Sequence, residues 1–239
     1  MTHFLLIHGS WHGAWCWYKI APRLQAEGHR VSVVNLPGRG RDVARPVFIS
    51  LKRMVRHTAA MLPDTGKTTV VVHSRYGILA SRLAELVPDK IERTIYLASF
   101  MLPANKAAAS YFRADRDSLI GPSLQVSKLG MWDFLRPEAY REALYHDCSD
   151  DDNMLGQLLL CPEPLRPAVT RLTLTGANYG RVPRAYIRLT QDRAVSLSLQ
   201  DRLLNETKVD RVESIDASHS AYFSKPDALT QTILKLAGS

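Results

Sequence analysis

From its first residues onward the chain alternates short apolar runs rich in β-branched residues with longer stretches of helical periodicity, and few folds accommodate that rhythm. Residues 4–8, 30–36, 68–73 and 93–98 have the length and apolarity of strands buried on both faces. Between them, residues 15–27, 50–62 and 75–87 repeat apolar positions at three- and four-residue spacing, as helices lying on a sheet do. Gly28 follows the first of these where a left-handed residue is wanted, Pro63-Asp64-Thr65-Gly66 closes the second, and Pro88-Asp89 the third. Parallel strands cannot be joined by tight hairpins. The succession therefore predicts an α/β fold, a mostly parallel sheet with helices on both faces.

The rhythm stops near Met101. From residue 101 to 181 there is no strand–helix alternation, while Pro103, Gly121, Pro122, Pro137, Pro162, Pro164 and Pro167 recur. Short helices are expected over residues 137–145 and 150–160, the second opened by Ser149-Asp150-Asp151-Asp152, an acidic start that a helix dipole favours. The alternation resumes with a strand over 182–189, a helix near 197–205, a strand over 211–215 and a final helix over 226–236. We read one domain, its core formed by residues 1–100 and 182–239, with a helical cap insertion over 101–181. A length of 239 residues suits that reading.

Composition narrows the classes of function. Hydrophobic residues make up 46% and charged residues 23%, enough to bury a sizeable core. No apolar run approaches the ~20 residues of a membrane span, and the N-terminal apolar stretch is short and lacks a basic flank, so a cytoplasmic location is expected. Cys16, Cys148 and Cys161 follow no metal-ligand or disulfide spacing, and neither a metal nor another cofactor is expected. The balance of 31 Lys+Arg against 23 Asp+Glu leaves +8. These cations are dispersed and not interleaved with aromatics, which argues against a nucleic-acid partner but leaves a preference for anionic small molecules open. The sequence does not fix the oligomeric state; a homodimer stays open.

The strongest chemical signal is the junction Val70-Val71-Val72-His73-Ser74-Arg75-Tyr76-Gly77-Ile78. A serine at an abrupt strand-to-helix turn has its hydroxyl pushed to the top of the sheet, where the new helix aims its first amides at any oxyanion formed there. The usual pattern is G-x-S-x-G. Here Val72 and Tyr76 replace both glycines, and from the motif alone a buried serine at a strand end is an equal reading. Three further pieces favour a nucleophile. His8-Gly9-Ser10-Trp11-His12-Gly13 follows the first strand, where a second oxyanion amide is supplied. Asp192 lies just past the strand over 182–189, and His219 just past the next. Ser, Asp, His is the chain order expected when each sits on a loop at one edge of the sheet. His219 would take the serine proton, and Asp192 would fix its tautomer. His8, His12 and His73 fit structural hydrogen bonding better. Asp201 falls within a helix, and Asp216 is too close to His219 and on the wrong loop.

With these residues in view, the sequence resembles the plant methylesterase and hydroxynitrile lyase branch of the α/β-hydrolases and its bacterial relatives. The likeness runs over essentially the whole chain. It is carried by His8-Gly9-Ser10, Trp15-Cys16-Trp17-Tyr18-Lys19, Leu36-Pro37-Gly38-Arg39-Gly40-Arg41-Asp42, His73-Ser74, Tyr145-His146-Asp147-Cys148-Ser149, Thr190-Gln191-Asp192-Arg193 and Ser218-His219. The resemblance implies an α/β-hydrolase fold with a helical cap over an apolar pocket, no metal, no cofactor, and oxyanion donors at the backbone amides of Ser10 and Arg75. Lyase members carry Thr where this chain has Gly9, and Lys where it has Ser220, the residue after His219. Without that Lys a departing cyanide lacks a charge partner, so hydrolysis of small or methyl esters is favoured over a lyase reaction, with a catalytically weak ligand-binding protein as a third reading. Trp11, Tyr76 and Trp132 are candidates to line the substrate pocket, with Tyr111, Phe112, Phe134 and Tyr145 of the cap. Tyr76 is expected to narrow the site or lend its hydroxyl to the substrate, beside an Arg75 that would favour an anionic acyl partner.

Overall fold

A computed structural model describes residues 1–42 and 44–238. Nine strands are found among them in chain order: β1 (His3–Ile7), β2 (Arg30–Val34), β3 (Thr68–His73), β4 (Ile91–Leu97), β5 (Leu124–Val126), β6 (Trp132–Leu135), β7 (Glu163–Pro164), β8 (Arg184–Leu189) and β9 (Arg211–Ile215). Six of them form one sheet in the order β2-β1-β3-β4-β8-β9, parallel throughout. The doubly covered sheet explains the apolar runs. Leu5 and Ile7 of β1 join the apolar cluster on one face with Val70 and Val72 of β3, while Phe4 and Leu6 join the cluster on the other with Val71. Successive strand residues point to opposite faces, and here both faces are core.

Helices α1 (Ile20–Ala26), α2 (Leu51–Ala59) and α3 (Gly77–Leu86) connect the first four strands. Gly28, just past α1, has φ +79°, the left-handed geometry its position demanded. Two predicted helices start differently. Residues 15–27 divide into a 3₁₀ turn, Ala14–Trp17, and α1, while the helix after β3 opens with a 3₁₀ turn over Ser74–Tyr76.

Residues 101–181 are not purely helical as expected. They hold α4 (Ala108–Ala114), α5 (Ile120–Ser123), α6 (Tyr140–Leu144), α7 (Asp150–Leu159) and α8 (Arg166–Val169), and also a second sheet of β5, β6 and β7, paired antiparallel. Strands of three, four and two residues leave too little alternation to be read from sequence. Helix α7 begins as the acidic run foretold. Its N-cap Ser149 accepts from the Asp152 amide, and Asp152 binds Tyr18 and Lys19 at 2.9 and 2.8 Å, tying the cap segment to the first connection just before α1. The chain finishes with α9 (Leu197–Glu206), α10 (Ala221–Ser224) and α11 (Pro226–Ala237).

Neighbours in the sheet fix where a site can form. Strand β1 pairs with β2 on one side and β3 on the other, and β3 pairs with β4 beyond, so the connections leaving β1 and β3 run in opposite directions. The crevice beyond the carboxyl ends of β1 and β3 is the place where open α/β sheets bind ligands. The Gly9–Trp11 segment and Ser74 both sit there.

Candidate active site

Strand β3 ends at His73, and Ser74 takes φ +57° before the chain enters the 3₁₀ turn and α3. A non-glycine residue in that region is held there only by its surroundings. The Ser74 carbonyl accepts from the Phe100 amide at 3.0 Å and from Ser99 Oγ at 2.6 Å. Close packing then dictates glycine at two neighbours. A Cβ on Gly9 would lie 2.7 Å from His73 Nδ1 and 2.9 Å from Ser74 Cβ, and one on Gly77 would lie 2.6 Å from the Phe100 carbonyl oxygen. The close approach that the usual motif reserves for the residue two past the serine has shifted by one, to Gly77.

Ser74, His219 and Asp192 form one hydrogen-bonded line. Ser74 Oγ lies 3.0 Å from His219 Nε2, and His219 Nδ1 lies 2.7 Å from Asp192 Oδ2. An ionised carboxylate only accepts, so Nδ1 carries the ring proton and Nε2 is free to accept from the serine hydroxyl. The other Asp192 oxygen accepts from the amides of Ala194 and Val195 at 2.7 and 2.9 Å. All three side chains are buried, Ser74 being 5% exposed. Asp216 is exposed and engages Thr190 and Gln191 instead. The loop bearing His219 is held from the cap, where Asp147 accepts from the Ser218 amide at 2.9 Å.

Three other histidines brace this line, as their positions suggested. His73 donates from Nε2 to the His219 carbonyl at 2.9 Å, with its ring 4.3 Å from the His219 ring. Burial, then the neighbouring His219, holds His73 well below the ordinary imidazole range. His12 donates from Nδ1 to the Ser10 carbonyl and accepts at Nε2 from Tyr145 and Tyr222, and burial pushes its pKa down to about 3. His8 donates to the Gly9 carbonyl, accepts from the Leu36 amide, and is likewise pushed down to about 3 by burial, with Arg39 adding to it.

The expectations for the side chains around Ser74 need correction. Tyr76 is fully buried, and its hydroxyl donates to Glu163 of β7, so it is not free to bind a substrate. Arg75 is no free cation either. Its guanidinium donates to both carboxylate oxygens of Asp133 on β6, at 2.8 and 3.0 Å, and lies 5.4 Å from the Trp11 ring and 5.0 Å from that of Phe112. Trp11 is buried at φ +61° with its indole N–H on Asp133. Trp132 is half-buried on β6, paired in register with Pro164. The Tyr111 hydroxyl reaches Glu206 on α9, and Tyr145 is fixed on His12. The sequence reading missed Asp133, Glu163 and Arg39, which pairs with Glu163 at 2.8 Å; both carboxylates are fully buried. A signal existed. An arginine inside an otherwise apolar strand-to-helix turn must find a carboxylate once buried, and Asp133 interrupts the apolar run Trp132-Asp133-Phe134-Leu135.

Among the described residues no group of three His, Cys, Asp or Glu is placed to hold a metal ion. A buried hydroxyl, an imidazole in the accepting tautomer and an orienting carboxylate suit proton abstraction and nucleophilic attack on an acyl carbon.

Comparison with known proteins agrees with this fold. The sequence profile of the alpha/beta hydrolase family matches residues 4–232. Methylesterase 9 of Arabidopsis thaliana is 32% identical over 99% of this chain and 98% of its own length. Among solved structures, polyneuridine aldehyde esterase is similar with a TM-score of 0.91 at 25% identity, covering 99% of both chains. A methylesterase from Arabidopsis gives 0.87 at 26% identity, covering 100% of this chain and 99% of the other.

Proposed function

This chain belongs to the alpha/beta hydrolase family, and from that premise we propose that it cleaves small carboxylic esters, methyl esters included, through an acyl-enzyme on Ser74. It is an ester hydrolase, as its methylesterase and esterase relatives are. The observation that carries the assignment to residues is the line Ser74 Oγ, His219, Asp192 at the strand-to-helix turn.

His219 Nε2 takes the Ser74 proton as Oγ attacks the ester carbonyl, and Asp192 stabilises the resulting imidazolium. The tetrahedral oxyanion is received by the amides of Ser10 and Arg75, one from the loop after β1 and one from the turn after β3. His219 then returns the proton to the leaving alcohol. A water activated by the same imidazole releases the acid. A lyase reaction on this scaffold fits less well. Its threonine has no room at Gly9, where a Cβ already meets His73 and Ser74. The residue after His219 is Ser220, whose hydroxyl donates to Tyr222 and brings no charge. For the cell, our reading is a cytoplasmic enzyme, consistent with the free thiols of Cys16, Cys148 and Cys161.

Short-chain p-nitrophenyl esters and methyl esters of aromatic acids test the function directly. Turnover is expected in the wild type and loss of nearly all of it in Ser74→Ala. Equal turnover in the two proteins would refute the assignment.

A further inference from the structure

Trp11 occupies the left-handed region at φ +61°, a conformation bulky side chains rarely adopt. All three of its polar groups are taken by the cap segment. Its amide donates to Glu163 Oε2 at 2.6 Å, its carbonyl accepts from the Cys161 amide at 3.0 Å, and its indole donates to Asp133 Oδ1 at 2.9 Å. The carbonyl just before it, that of Ser10, is held by His12 at 2.7 Å. The peptide next to the Ser10 amide is thus fixed at both its polar ends.

The same two carboxylates reach the other half of the proposed oxyanion hole. Asp133 accepts two hydrogen bonds from Arg75, and Glu163 accepts from Tyr76 while pairing with Arg39. Each carboxylate therefore bridges the loop after β1 and the turn after β3, the two segments whose amides must converge on one oxygen. Stability alone does not account for this design. Buried ion pairs contribute little beyond what apolar side chains of similar volume would, yet breaking one is costly.

We infer that Asp133 and Glu163 are positioning residues that hold the Ser10 and Arg75 amides at the spacing an oxyanion requires, so that the hole forms only while the cap sheet is seated. The inference rests on the ester-hydrolase reading above. In this chain the side chains of Arg75, Tyr76 and Trp11 are the struts of that brace. Of these, Tyr76 stands where the usual motif has a glycine, and its hydroxyl on Glu163 gives that departure a purpose.

The test compares Asp133→Asn and Glu163→Gln with wild type on p-nitrophenyl acetate. It also compares two inhibitors, a trifluoromethyl ketone that forms an oxyanion on the serine and the matching methyl ketone that does not. Deleting a whole oxyanion donor costs about 10²–10³ in kcat, and a displaced donor should cost less, about 10- to 100-fold. The expected result is that fall in kcat with KM within about threefold, and a trifluoromethyl ketone affinity that weakens in proportion while methyl ketone affinity holds. Equal weakening of both ketones, or unchanged kcat in folded variants, would overturn the inference and leave the hydrolase reading intact. Wild-type turnover that does not depend on Ser74 would overturn both. If the single variants do not fold, Arg75→Met with Asp133→Leu replaces the buried pair by apolar volume. That double variant should fold and keep the low kcat, and wild-type kcat in it would equally reject the brace.

Discussion

Asp192 performs two tasks on separate oxygens, and this makes its substitution informative. With Oδ1 fixed by the amides of Ala194 and Val195, the side chain of Asp192→Asn must keep its carbonyl there and turn its NH₂ toward His219 Nδ1. Nδ1 then has to accept, the ring proton moves to Nε2, and Nε2 can no longer take the proton of Ser74. Loss of the orienting carboxylate in a serine hydrolase costs about 10⁴ in kcat, and steady-state kinetics should find a fall of that order in folded Asp192→Asn. Asp216→Asn should stay near wild type, because Asp216 is exposed and bound to Thr190 and Gln191. The reverse outcome would move the acid to Asp216. The three members of this line were legible because chain order and strand ends point to them. The side chains of Arg75 and Tyr76 were not, since the partners that bury their polar groups lie 58 and 87 residues away in sequence.

Among the elements, legibility followed the length and the environment of each segment. Strand β3 was read to the residue because Thr68–His73 is buried along its whole length, so the apolar run spans the entire strand. The strands β5 to β7 escaped because a two- to four-residue strand shows no period, and because β7 contains Pro164 and the buried Glu163, both poor strand signals. The split of the first helix had a similar cause. Trp15, Cys16 and Trp17 have helical apolarity, but they pack as a 3₁₀ turn against α10, with Trp15 stacked on Phe223 and Trp17 tilted against Tyr222. The cap segment, read from sequence as a cover of short helices, supplies Asp133, Asp147, Cys161 and Glu163 to the loops that bear the site. Cap and site are thereby mechanically one unit.

For the molecule as a whole, the neutral histidines under the site set a pH dependence. His8 and His12 titrate near the ordinary 6.5 when unfolded and only at about 3 when folded. Below pH 6.5 the unfolded chain binds protons that the folded chain does not, so stability falls as pH falls through that window, by about 1.4 kcal/mol per pH unit for each histidine. Asp115 and Asp133, pushed up by burial, oppose this in part, while the carboxyls held low, Asp147 and Asp152, add to the loss only at more acid pH. Urea unfolding should give a clearly lower stability at pH 5 than at pH 7, and a flat profile would mean that these histidines are not buried neutral. The central claim, that catalysis passes through a covalent bond to Ser74, has a more direct test. Incubation with a serine-directed organophosphonate followed by intact-mass and peptide-mapping mass spectrometry should show one adduct per chain, located on Ser74, with activity lost in step. Labelling at another residue, or full activity in a stoichiometrically labelled protein, would contradict the account.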